Sequence, residues 1–110
     1  MDHEQTARGN HRSGYNCAQS VTAAFARDLN LSAVQAMQAA PRPRSEGGMC
    51  GAYLAGRALL EQLKPEAAQA FERRFLAENG ALECGRLRRL GKPCNDLVGS
   101  AARLAEELMK

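Results

Sequence analysis

Cys17, Cys50, Cys84 and Cys94 are the residues of this 110-residue chain whose type best suits them to chemistry. A thiolate can attack a disulfide, be oxidised against a second cysteine, or bind a soft metal ion. Three of the four stand where the sequence predicts helix starts. Cys50 follows Gly47-Gly48-Met49, so backbone N–H groups and the helix dipole are expected to favour its thiolate. Arg42 and Arg44 lie close by in sequence. Cys94 follows Pro93, in the first turn of another expected helix. Cys84 opens a segment carrying Arg86, Arg88, Arg89 and Lys92 with no acid between it and Cys94. That run reads either as a solvated basic face or as a positive field acting on the flanking thiols. Cys17 sits on an apolar stripe and could equally pack as a small hydrophobe.

Ligand spacing for a metal is poor. The chain has no C-x2-C, no haem-attachment motif and no histidine pair at helical spacing. His3 and His11 fall in a polar stretch expected to be exposed and unstructured. A four-thiolate site for zinc or an iron–sulfur cluster, assembled from separate helices, stays open because linear spacing does not decide it. The chain carries no Walker loop, no dinucleotide fingerprint and no cysteine-protease signature.

The elements that would position the sulfurs follow from periodicity. Residues 1–12 are polar and aperiodic and read as a flexible N-terminal arm, leaving 13–110 as a single helical four-cysteine domain. Helices are expected over 16–29, capped by Asn16, and over 33–40, capped by Ser32 and ended by Pro41. In the second of these Val34, Met37 and Ala36 or Ala40 are the buried side. A third covers 50–63 with Ala52, Gly56, Leu59, Leu60 and Leu63 inward and an Arg57–Glu61 pair outside. Its small residues Gly51, Ala52, Ala55 and Gly56 predict close approach of another helix or a ligand, since a mid-helix glycine costs about 1 kcal/mol against alanine. A fourth starts at Pro65, buries Phe71 and Phe75 and stops at Asn79-Gly80. A short segment over 82–90 turns Leu82, Leu87 and Leu90 inward, and a last helix runs over 94–109. The expected fold is all-α, a compact bundle of about five to six helices.

At this length one core can form without staples, so the cysteines are not needed merely to hold the fold. The net charge of +3 is too small to argue nucleic-acid binding. No apolar run approaches the roughly 20 residues of a membrane span, and the polar start shows no signal peptide. The expected setting is the cytoplasm, where four cysteines point to catalysis, redox sensing or metal rather than structural disulfides.

Gly14-Tyr-Asn-Cys17-Ala-Gln-Ser-Val21, Gly47-Gly-Met-Cys50-Gly-Ala52, Cys84 and Cys94 with its helical tail together resemble the C-GCAxxG-C-C family. These are small bacterial and archaeal proteins described as redox-active, and the resemblance spans about residues 13–109. The family pattern places a glycine at position 55, whereas here it stands at 56. The resemblance implies that the four cysteines are the functional set and that Gly51 and Ala52 serve packing or backbone access. The leading expectation is thiol–disulfide chemistry of the oxidoreductase type. A low-pKa Cys50 or Cys94 would attack, and Cys17–Cys50 and Cys84–Cys94 would pair. The partner would be an unidentified redox protein or small thiol. The alternative is a carrier, sensor or electron-transfer protein with the cysteines as ligands of zinc or an iron–sulfur cluster. A third reading is an interaction protein whose cysteines merely pack, and the apolar stripes would also suit a homodimer.

Overall fold

The computed structural model describes residues 2–110. Among these residues seven α-helices follow one another: α1 (His3–Arg12), α2 (Cys17–Ala24), α3 (Ala33–Ala39), α4 (Gly51–Leu63), α5 (Ala68–Asn79), α6 (Cys84–Arg89) and α7 (Cys94–Met109). A single 3₁₀ turn, Pro65–Ala67, leads into α5. Among the described residues there is no strand, and one isolated antiparallel bridge pairs Met49 with Glu83. The all-α bundle is as expected.

Helix α4 is the centre. Gly51 through Gly56, Leu59 and Leu60 are all buried, so its first half is enclosed on every side. Helices α2, α5 and α7 pack around it. Tyr53, Phe71 and Phe75 form an aromatic cluster with ring centroids 5.5–6.1 Å apart. Each fully buried ring contributes roughly 1.5–3 kcal/mol of burial. The close approach expected at the small residues is there. A Cβ on Gly56 would stand 2.8–2.9 Å from the Cε atoms of Phe71, so the α5 ring lies directly on the α4 backbone. Gly51 is likewise covered by Pro43, with a Cβ meeting its ring at 3.0 Å. Gly80, in the left-handed region at φ 94°, ends α5 as its place after Asn79 predicted.

The stretch read as a loose arm is helix α1. Asp2 caps it, accepting from the N–H groups of Glu4 at 3.0 Å and Gln5 at 3.3 Å. Only Ala7 of this helix is buried, so periodicity carried no signal. Polar contacts hold it instead. His3 stacks on Phe25 with ring centroids 4.1 Å apart and is hydrogen-bonded to Glu106 and, at 3.0 Å, to Asp28. Arg8 reaches Asp96 at 3.0 Å and Asn95 at 3.1 Å on α7, lying across Gly99, where a Cβ would collide with the guanidinium.

Other expectations are adjusted. The first long helix, read over 16–29, keeps helical form only to Ala24. Tighter i→i+3 bonds from Phe25 and Ala26 follow, and Asn30 turns left-handed at φ 59°. Ala36 is the buried residue of α3 and Val34 is 60% exposed. Of the three leucines of the segment 82–90, Leu87 alone is fully buried, while Leu82 is half-buried and Leu90 exposed. Arg57 pairs not with Glu61 but with Glu46, at 2.7 Å. The loop before α4 folds back to bring Glu46 within reach.

Candidate functional site: a four-thiol cavity

All four cysteines line one cavity of about 180 Å³. Each stands at the start of a different helix. Cys17, Cys84 and Cys94 are the first residues of α2, α6 and α7, and Cys50 is the residue just before α4. The α2 start is fixed by a capping box in which Gln19 N–H donates to Asn16 Oδ1 at 2.8 Å and Asn16 N–H to Gln19 Oε1 at 3.1 Å. No side-chain oxygen caps α4, α6 or α7. At α4 the residue in the cap position is Cys50, and the backbone N–H groups of Ala52 and Tyr53 act on its sulfur to favour the thiolate.

The Met49–Glu83 bridge joins two of the sulfur-bearing segments. Cys50 N–H donates to Leu82 C=O at 2.8 Å, and Cys84 N–H donates to Gly48 C=O at 2.9 Å. Side chains alternate along extended backbone. Cys50 and Cys84 therefore leave the bridge on the same face, opposite to Met49 and Glu83.

Electrostatics then ranks the thiols. Burial, then the charges of Cys94 and Cys50, push Cys17 from 9.0 up to about 12, so it stays protonated. Cys50 is also pushed up, by burial, and its two backbone N–H donors only offset part of that. The expected low-pKa Cys50 is thus corrected. The donors are present, but at 2% exposure the desolvation of the charged sulfur outweighs them. Coulomb interaction falls with distance. The sulfur acting most strongly on Cys17 is Cys94, and the one acting most strongly on Cys50 is Cys84. All four thiols are free; Cys17, Cys84 and Cys94 are half-buried and Cys50 is buried.

The charged part of the lining is basic. Arg44, Arg88 and Lys92 face the cavity together with His11, and no aspartate or glutamate lines it. Asn95 Nδ2 donates to Nδ1 of His11 at 3.2 Å, which leaves the imidazole proton on Nε2. The sequence reading placed His11 in a free arm. It reaches the cavity because α1 docks on α7, and no local signal announces that. Of the arginines expected near Cys50, Arg44 lines the site and Arg42 does not. A larger cavity of about 270 Å³, between α1 and the end of α2, contains His3, Thr6 and Asp28 but no cysteine.

Among the described residues, no group of three or more histidine, cysteine, aspartate or glutamate side chains is arranged to hold a metal ion. No helix among them is long and apolar enough to cross a membrane.

The raised Cys17 pKa has a measurable consequence. The unfolded chain loses this proton near pH 9 and the folded chain near pH 12. Between those values the unfolded state binds fewer protons, so stability falls as pH rises, and it is fully present below pH 9. Tyr53, raised to about 12 by burial and by its hydrogen bond to Glu72, acts in the same window. We expect the denaturation midpoint of the reduced protein to fall more steeply across that window than that of Cys17→Ser, in which the tyrosine contribution is retained. Parallel curves for the two proteins would refute the assignment.

The chain matches, over residues 15–108, the family model described as "Putative redox-active protein (C_GCAxxG_C_C)". No curated protein and no solved structure matches it.

Proposed function

Since this chain belongs to the C_GCAxxG_C_C family, we propose that it is a thiol–disulfide redox protein in which Cys94 attacks, Cys17 resolves, and Cys50 with Cys84 forms a second pair. The observation that carries the reading is the gathering of four thiols, distant in sequence, around one cavity. Cys17 is held protonated beside Cys94, and Cys50 is buried. Cys17 and Cys94 are both half-buried, and since burial keeps the proton on Cys17, Cys94 is the one left to meet a disulfide from solvent. Like charges at close range do not both ionise, so one sulfur attacks while its neighbour keeps its proton until the second step. We pair Cys17 with Cys94, the sulfur that raises it most, and Cys50 with Cys84, which leave the Met49–Glu83 bridge on one face, in place of the Cys17–Cys50 and Cys84–Cys94 pairs expected from the sequence. We place the protein in the cytoplasm, where free thiols persist.

The test is oxidation of the reduced full chain by one equivalent of a small disulfide, followed by peptide mapping. A Cys17–Cys94 bond forming first is expected. Four thiols left unmodified in the folded state would overturn the reading. The reading of the cysteines as ligands of zinc or an iron–sulfur cluster is decided on the same protein, purified without oxygen. Stoichiometric metal, lost when any one cysteine is replaced, would put it in place of thiol exchange.

A further inference from the structure

We infer that the molecule exchanging with these thiols is an anion: a small disulfide whose two halves carry carboxylate groups. The inference rests on the thiol-exchange reading and adds the class of substrate. Three separate segments each bring a cation to the cysteine cavity. Arg44 comes from the loop before α4, Arg88 from α6, and Lys92 from the turn between α6 and α7. None of the three forms an ion pair among the described residues, whereas Arg8, Arg57, Arg74 and Arg103 all bind carboxylates of the protein. Among those residues Arg12, Arg27 and Arg86 are unpaired as well, so what marks Arg44, Arg88 and Lys92 is their place: they line one cavity with the thiols, and no aspartate or glutamate lines it with them. Arg44 also holds a left-handed backbone at φ 63°, fixed by its N–H donating to Met49 C=O at 3.0 Å. At about 180 Å³ the cavity is smaller than the roughly 300–1,000 Å³ of sites that enclose a whole drug-sized ligand. It takes one arm of such a disulfide at a time.

The exchange balances without another reactant. Cys94, its proton released to solvent, attacks one sulfur of the small disulfide. A mixed disulfide forms, the small S–S bond breaks, and the first half leaves as a thiolate that recovers a proton from solvent. Cys17 then attacks the Cys94 sulfur and loses its proton, and the second half leaves as a thiol. The small disulfide has gained two electrons and two protons, and the cysteine pair has lost them. Cations beside the site hold the carboxylates and also favour departure of each thiolate.

The experiment compares the rates at which the reduced full chain is oxidised by glutathione disulfide, neutral bis(2-hydroxyethyl) disulfide and cationic cystamine. Each is divided by its rate with a simple thiol. We expect the anionic probe to lead the neutral one by about tenfold or more at low salt, with cystamine slowest. The advantage should shrink at about 1 M salt, where the screening length is only about 3 Å. It should also shrink in the Arg44→Gln/Arg88→Gln/Lys92→Gln variant, whose helical circular dichroism is checked first. Three normalised rates that are equal and indifferent to salt would overturn the anion inference and leave thiol exchange standing. Failure of all three disulfides to oxidise the cysteines would overturn both.

Discussion

Replacing Cys94 with serine is expected to slow oxidation by a small disulfide at least about a hundredfold, well inside the range that loss of a nucleophile costs. Serine keeps the size and the hydrogen-bonding capacity of the side chain but supplies no thiolate. The sulfur left beside it, Cys17, stays a poor nucleophile because burial, the largest cause of its raised pKa, does not depend on Cys94. Cys50 is almost wholly shielded. Cys17→Ser has a different signature. Attack by Cys94 still occurs, but nothing resolves the product, so the protein should accumulate one small thiol bound at Cys94. Mass spectrometry of the intact chain reads that adduct directly. Full activity in Cys94→Ser with loss in Cys84→Ser would move the attacking role to Cys84, which is half-buried as well.

The largest expected effect on stability is at Gly56. A Cβ there meets the Phe71 ring well inside contact distance. Phe71 and Phe75 are themselves fully buried, leaving the ring no free space to retreat into. Gly56→Ala should therefore cost about 1–3 kcal/mol, the usual penalty of overpacking, despite alanine's better helix propensity. For a domain of this size that lowers the melting temperature by about 5–15 °C. Combining it with Phe71→Leu should recover part of the loss, because the two residues contact each other and their effects do not add. Gly85 is the control. Nothing lies within 4 Å of a Cβ placed there, so Gly85→Ala should be neutral or slightly stabilising. Equal melting temperatures for Gly56→Ala and the native protein would show that α5 does not sit on α4 as described.

What the sequence made legible was local. The breaks at Pro41, Pro65 and Gly80, the caps at Asn16 and Ser32, and the crowded small residues of α4 are each written within a few neighbouring positions. The cysteine set was legible through the motif surrounding it. What escaped depends on contacts made across the chain. Helix α1 buries a single alanine and is held by α7, so its pattern looked like that of a solvated arm. His11 enters the site only as a result of that docking. The acidity of Cys50 was misjudged because its N–H donors are local and could be foreseen, while the burial that outweighs them is built by residues far away. Arg57 passed over Glu61, one turn along its own helix, for Glu46 in a loop.

Each sulfur begins a helix, and Cys17 and Cys94 lie near opposite ends of the chain. A covalent bond between them would enclose most of the polypeptide in one ring. By the chain-entropy relation, such a cross-link restricts the denatured ensemble by about 4–5 kcal/mol. Gain or loss of two electrons would then also set how much heat the molecule withstands.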